Sequence, residues 1–391
     1  MLQTSNIFLN IIKGLLFFYS VSLYASTYQE KSDVMGGGFG GNEKIGQFTY
    51  SEKNGTHASL PIQRDNNGIC YLENKYFKVV TIKSYDEQGG IDKLEDVTFA
   101  CQNQDPNYGV YWDEDLLRSN GGYSPANDAL YAAMMTNKMF EQWYGIPVIA
   151  KDDKKTPAQA LLIMNDAHDP DRASGWIREG QQAITFGKGE KIFPNTTIDI
   201  VAHELGHNFT FQYSDLYYGG PSGGLFEAFG DMQAAAVEFF VTGKNKWVFG
   251  ADVFRDPSLC NAHDPICFVR YMNNPTQDGE TIDHIKNYDA EKSEYGNQHI
   301  NAGIFDKAFY LLATSNGWDT KMAFDVMVQA NRFYWEGKAS FKQIACGMLK
   351  ATRDYQKNNA AYTSSAVINA LKSVGYVDNG DQSNYDIKDC E

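Results

Sequence analysis

The chain is poor in basic residues. Lys and Arg number 34 against 49 Asp and Glu, a formal net charge of −15. Nucleic acid needs a basic face, and anionic lipid attracts one, so the balance argues against both partners. Cysteine is scarce too: six in 391 residues, with no Cys-x-x-Cys pair. This argues against a cysteine zinc knuckle or a thioredoxin-type redox site. No stretch offers the roughly 20 apolar residues of a membrane-spanning helix, so no stable membrane anchor is expected. What remains, with 43% hydrophobic residues, is a globular chain long enough for two cored lobes.

The first residues have a shape of their own. Lys13 precedes an apolar run, Gly14 to Tyr24, followed by the small residues Ala25 and Ser26. This reads as a secretory signal peptide over 1–25, with export to the extracellular space or periplasm. The even set Cys70, Cys101, Cys260, Cys267, Cys346 and Cys390 then suggests three disulfides, with about 15 possible connectivities. Asn54, Asn195 and Asn208 match glycosylation sequons.

Residues 26–39 are polar and glycine-rich and read as a flexible segment. No Gly-Lys-Ser/Thr follows, so this is not a phosphate loop. From Gln47 to Cys101, β-branched and aromatic residues alternate with polar ones between turn signals, which predicts hairpins. Residues 124–145 have helical periodicity. From Thr196 the chain is mainly helical, over 197–213, 223–242, 300–315, 318–336, 340–352 and 363–374. The expected class is α+β, with a β-rich N-terminal lobe over 40–205, a helical C-terminal lobe over 206–378, and an acidic tail over 379–391.

Seven histidines are few for this length, yet two fall in one core, His203-Glu204-Leu205-Gly206-His207. On a helix, residues four apart share a face. His203 and His207 can therefore face one metal ion, with Glu204 about 100° round the helix and beside it. Catalytic zinc takes three protein ligands and keeps a position for water, from which a neighbouring carboxylate can take a proton. Two histidines can equally be ordinary core residues, so a third ligand must be found. The HExxHxxGxxH scheme fails, because its positions are Thr210 and Tyr213. A glutamate on a second helix is the other scheme. Glu227 lies 20 residues past His207 among Leu225, Phe226, Ala228 and Phe229. Asp231, four further on, suits the far nitrogen of a ligating histidine. GPSGG at 220–224 matches a serine-hydrolase elbow, but a polar turn precedes it where a buried strand is required, so Ser222 is not read as a nucleophile.

The segments DIVAHELGHNFT, SDLYYGGPSGGLFEAFGDMQAAAVEFF, SPANDALYA, VRYMNNPTQDG, HINAGIFDKAFYLLA and AFDVMVQANRFYW resemble the thermolysin-like (gluzincin) secreted zinc metalloproteases, and most of all the pseudolysin-type elastases. The similarity runs from about residue 40 to 377. It implies a two-lobed fold with one catalytic Zn²⁺ in the cleft between the lobes. It further implies His203, His207 and Glu227 as ligands, Glu204 as general base, and Tyr218 with His299 as donors to the oxyanion. Arg270 would hold a substrate carbonyl. Cys70 would pair with Cys101 and Cys346 with Cys390, leaving Cys260 with Cys267. The implied protein is a monomer that cuts peptide or protein substrates before hydrophobic residues.

Several departures accompany the resemblance. The substrate-binding stretch is replaced over 174–189, with Trp176 where the family has an asparagine. Asn297 stands where an aspartate orients the active-site histidine, which implies a lowered His299 pKa. The main calcium site keeps Asp199 and Glu238 but has Ala235 and Lys246 at its other side-chain positions, so calcium is doubtful and the Lys246 ammonium is expected near the two carboxylates in its place. The residues ahead of the match are too few for the family's long pro-segment. These departures keep open an alternative: a catalytically weak, zinc-bearing secreted protein that binds peptides or host proteins.

Overall fold

A computed structural model describes residues 30–51, 55–101, 124–178, 180–255, 268–294, 296–380 and 383–390. The signal-peptide reading and Cys260 with Cys267 lie outside these residues. The N-terminal part is built of strands β1 (Lys31–Gly36), β2 (Gly38–Asn42), β3 (Gly46–Tyr50), β4 (Leu60–Asp65), β5 (Ile69–Tyr71), β6 (Phe77–Tyr85), β7 (Ile91–Asp96), β8 (Thr98–Ala100), β9 (Ala160–Asp166), β10 (Ala173–Arg178) and β11 (Gln181–Gly187). One sheet has the order β1-β4-β5-β8 and a second the order β10-β11-β9-β6-β7, while β2 and β3 form a hairpin. In the second sheet β6, β9 and β11 run parallel, and β10 returns antiparallel to make its edge.

Residues 31–39 differ from the expectation of a flexible segment. β1 pairs with β4 along Lys31↔Asp65 to Gly36↔Leu60, and β2 pairs with β3. The glycines serve close approach rather than mobility. A Cβ on Gly40 would meet Asp128 Oδ1 at 1.9 Å. The adjacent Gly41 N–H donates to Asp128 Oδ2 at 2.8 Å, and the Tyr50 hydroxyl donates to the same buried carboxyl.

Seven helices longer than one turn are described: α1 (Pro125–Tyr144), α2 (Ile198–Gln212), α3 (Gly220–Thr242), α4 (Gln298–Ala313), α5 (Thr320–Phe333), α6 (Phe341–Gln356) and α7 (Ser364–Ser373). Their limits fall within a few residues of those expected from periodicity. Ser124 caps α1, Pro125 sits in its first turn, and Gly145 closes it at φ 67°. Residues 200–210 of α2 are all buried, so this is a core helix apolar or close-packed all round, and neighbouring elements hold it in place. It packs against α1, α3 and the β10–β11 edge.

The two disulfides that can be seen are Cys70–Cys101 and Cys346–Cys390. Asn195 and Asn208 are 2% and 1% exposed, so neither sequon is available to a glycan. No described helix is long and apolar enough to cross a membrane.

Candidate metal centre

Two glycines set the distance between the helices that carry the site. Glycine inside a helix costs about 1 kcal/mol relative to alanine, so its presence calls for a packing reason. A Cβ on Gly206 of α2 would meet Gly230 Cα of α3 at 2.9 Å, and a Cβ on Gly230 would meet His203 Nδ1 at 2.5 Å. The close crossing turns His203 and His207 of α2 toward Glu227 of α3. One ligand atom from each lies within 4.8 Å of the others, and all three residues are buried.

The donor set fits a metal. Glu227 Oε2 is buried and accepts no hydrogen bond. It faces His203 Nε2 at 3.4 Å, His207 Nε2 at 3.7 Å and His299 Nε2 at 3.2 Å. A buried carboxylate oxygen without a donor, ringed by imidazole nitrogens, is what a shared cation would satisfy. His203 Nδ1 lies 2.8 Å from Asp231 Oδ1, which orients that ring. Asp231 in turn takes Arg270 Nη2 at 2.6 Å and Nε at 2.5 Å.

Glu204 is 7% exposed and beside the histidines. Burial pushes its carboxyl up to about 7. Glu227 adds to the effect, while His203, the Gly175 N–H and Arg270 oppose it. That is the range a general base uses. The Gly175 N–H on edge strand β10 donates to Glu204 Oε2 at 2.6 Å and fixes the carboxyl's direction.

Known proteins match the chain along most of its length. Residues 47–211 match the family description "Thermolysin metallopeptidase, catalytic domain", and residues 214–376 match "Thermolysin metallopeptidase, alpha-helical domain". The chain belongs to the thermolysin metallopeptidase family. The boundary between the two thermolysin-type regions falls just past the end of α2. The zinc metalloproteinase MspA of Legionella longbeachae is 37% identical over 328 residues, covering 83% of this chain and 57% of that protein. The hemagglutinin/proteinase of Vibrio cholerae is 32% identical over 346 residues, covering 88% and 50%. The chain thus spans about half the length of the curated relatives it matches. The precursor of protealysin from Serratia proteamaculans shares the fold, with TM-score 0.55 and 20% identity over 77% of this chain and 88% of that one.

Within this thermolysin-type frame the remaining sequence-derived residues can be placed. Tyr218 reaches the site, but its hydroxyl donates to Glu227 Oε1 at 2.5 Å. His299 lies in the first turn of α4, its side chain exposed while its Nε2 faces Glu227. The attraction of Glu227 is outweighed by desolvation and by the charges of Arg270 and His203, so His299 lies below an ordinary histidine. Asn297 is the N-cap of α4 at φ 65°, a left-handed position that asparagine tolerates, and it makes no side-chain cap bond. Arg270 is buried and engaged with Asp231.

Trp176 packs on its own sheet. Its ring packs with Val80, Ile163 and Ala183, and its Nε1 donates to Thr185 Oγ1 at 2.7 Å. The residue of β10 that meets Glu204 is Gly175. Ser222 is buried in the first turn of α3, donating to the carbonyls of Tyr217 and Gly219, which agrees with its exclusion as a nucleophile. Lys246 sits in the pocket lined by Asp199, Ala235 and Glu238, but its ammonium pairs with Asp252 at 2.7 Å, not directly with the two expected carboxylates. The expectation missed Asp252 because it is contributed by a separate turn.

Sequence reading also missed Asp306. This carboxyl on α4 is 1% exposed. Burial, with Asp231 close by, raises it well above the ordinary range, against the opposing charge of Arg270. The signal was an aspartate on the apolar face of GIFDKAFYLL, a position that calls for a buried partner.

Proposed function

We propose that the chain is a zinc-dependent endopeptidase exported from its cell. The observation that carries this reading is the convergence of His203, His207 and Glu227 with the Glu204 carboxyl beside them. The relatives bear the names zinc metalloproteinase and hemagglutinin/proteinase, in keeping with it. His203, His207 and Glu227 would hold the ion, which supplies Lewis acidity toward water and a peptide carbonyl when bound.

The chain's own residues do the rest. Glu204, aimed by Gly175, accepts the proton of the attacking water and returns it to the leaving amine. Tyr218 swings from Glu227 to donate to the developing oxyanion, and His299 offers a second donor. Asp231 keeps the His203 proton on Nδ1, so that Nε2 is free to ligate. Arg270, held by Asp231, presents what remains of its guanidinium to a substrate carbonyl. The edge strand β10 offers a backbone against which an extended peptide can lie, and the residue after the cut is hydrophobic.

The test is hydrolysis of a generic protein substrate. Activity should vanish on chelation and return with zinc. Glu204→Gln should lose at least about 10³-fold in kcat/KM, the scale of an essential base, while keeping one zinc per chain. Full activity in Glu204→Gln would sink the assignment.

A further inference from the structure

The two imidazoles of the centre are held in unlike ways. His203 has a carboxylate at Nδ1. His207 Nδ1 is buried and has no hydrogen-bond partner. His207 is instead stacked on Phe226, with ring centroids 4.5 Å apart and planes within 6° of parallel. Phe226 is itself 4% exposed and boxed in, with Phe211 at 5.2 Å and Tyr218 edge-on at 5.4 Å. Its place in the chain, directly before Glu227, ties the ring to the third donor of the set.

We propose that Phe226 is the positioning residue of His207 and that His207 is the more weakly anchored of the two histidine ligands. A neutral imidazole that ligates through Nε2 carries its proton on Nδ1. In His203 that proton is accepted by Asp231, which fixes the tautomer and makes the ligand more basic. In His207 the same proton points into a site with no acceptor, so nothing polar selects the tautomer or the ring angle. The flat contact does the orienting: the negative face of the Phe226 ring attracts an imidazole that becomes electron-poor when it ligates. Because Tyr218 makes a T-shaped contact with the same ring, Phe226 also sets where the proposed oxyanion donor rests.

This inference rests on the zinc reading, and the test separates the two. The zinc dissociation constant is measured by competition with a chelator of known affinity, for wild type, Phe226→Leu and Phe226→Tyr. Phe226→Leu removes the flat face and should weaken zinc by about tenfold or more, the range for lost orienting partners. Phe226→Tyr keeps the face and should stay within about twofold of wild type, as a preserved contact requires. Melting of the metal-free proteins shows whether Phe226→Leu acts only on the fold. An unchanged zinc affinity in folded Phe226→Leu, or an equal loss in Phe226→Tyr, overturns the proposal. A wild type that binds no zinc overturns the functional reading instead. Should Phe226→Leu not fold, NMR of the zinc-loaded wild type with labelled histidine decides. The His203 Nδ1 proton should lie far downfield, as a carboxylate-bound proton does, and the His207 Nδ1 proton well upfield of it. Two equally downfield protons would show an acceptor at His207 and end the argument.

Discussion

Lys246 Nζ lies 2.7 Å from Asp252 Oδ2, and the Lys246 backbone N–H donates to Glu238 Oε2 at 2.9 Å. With Asp199 in the same pocket, one ammonium stands among three carboxylates. Calcium asks for six to eight oxygens, and a lysine offers none. We expect millimolar calcium, added after chelation, to leave the melting temperature unchanged. An exposed ion pair alone contributes about 0–1 kcal/mol, but Lys246→Ala would also leave the three carboxylates to repel one another. Its melting temperature should fall by a few degrees, and calcium should restore part of the loss. A rise of several degrees in the wild type on adding calcium would show a working calcium site.

Asp231 joins the metal centre to Arg270. Asp231→Ala strips His203 of its acceptor and leaves a buried guanidinium unpaired. The first effect should weaken zinc by about 10–100-fold, and the second should destabilise the metal-free fold by roughly 3–5 kcal/mol. Chelator competition and denaturant unfolding read the two separately. Asp231→Asn still offers one oxygen, so it should fall between wild type and Asp231→Ala in both. If Asp231→Ala unfolds like wild type, the Arg270 pairing contributes nothing to stability.

Helices were legible wherever the apolar period and the stop signals agreed, as in α1 between Ser124 and Gly145. The grouping of His203, His207 and Glu227 was legible because each stands at a spacing that a helix or helix pair imposes. What sequence could not reveal was which atom meets which. Tyr218 bonds to Glu227, Lys246 chooses Asp252, and Trp176 packs with its sheet, because each depends on side-chain directions set by distant segments. The glycines of 36–41 misled for a related reason. Composition reads glycine as freedom, whereas Gly40 is required by the closeness of Asp128. The pair Gly206 and Gly230 could have been read, since a glycine inside each of two helices that share a ligand set calls for a close crossing.

The Asp128 carboxyl predicts a pH-dependent stability. Burial raises it to about 7, against hydrogen bonds from Tyr50 and Gly41 that lower it. Unfolded, it titrates near an ordinary aspartate, about 3.9. Between those values the folded state holds a proton that the unfolded state does not, so stability falls as pH rises from about 4 to 7 and is then flat in this contribution. Asp128→Asn removes the titration. Across pH 5–7.5 the wild-type melting temperature should therefore decline by several degrees more than that of Asp128→Asn. Parallel curves would mean that Asp128 is already ionised at pH 5.

The disulfides allow a comparison within one molecule. Cys70–Cys101 spans 31 residues and joins β5 to the residue just after its neighbour β8, whereas Cys346–Cys390 spans 44 and pins the C-terminal segment to α6. Loop closure alone assigns each about 4 kcal/mol, with a difference of only about 0.3 kcal/mol between them. If restriction of the unfolded chain is what stabilises, then Cys70→Ser/Cys101→Ser and Cys346→Ser/Cys390→Ser should lose nearly the same free energy in denaturant unfolding. The C-terminal bridge has a second anchor, however. Arg353 donates to the Cys390 carbonyl, and Val377 bridges to Asp386, so the tail keeps contacts after the sulfurs part. Hydrolysis at 25 °C should then survive loss of Cys346–Cys390 with little change, while its half-life on heating shortens. A much larger loss at Cys70–Cys101 than at Cys346–Cys390 would place the stabilisation in the folded sheet and reject the loop-entropy account for this protein.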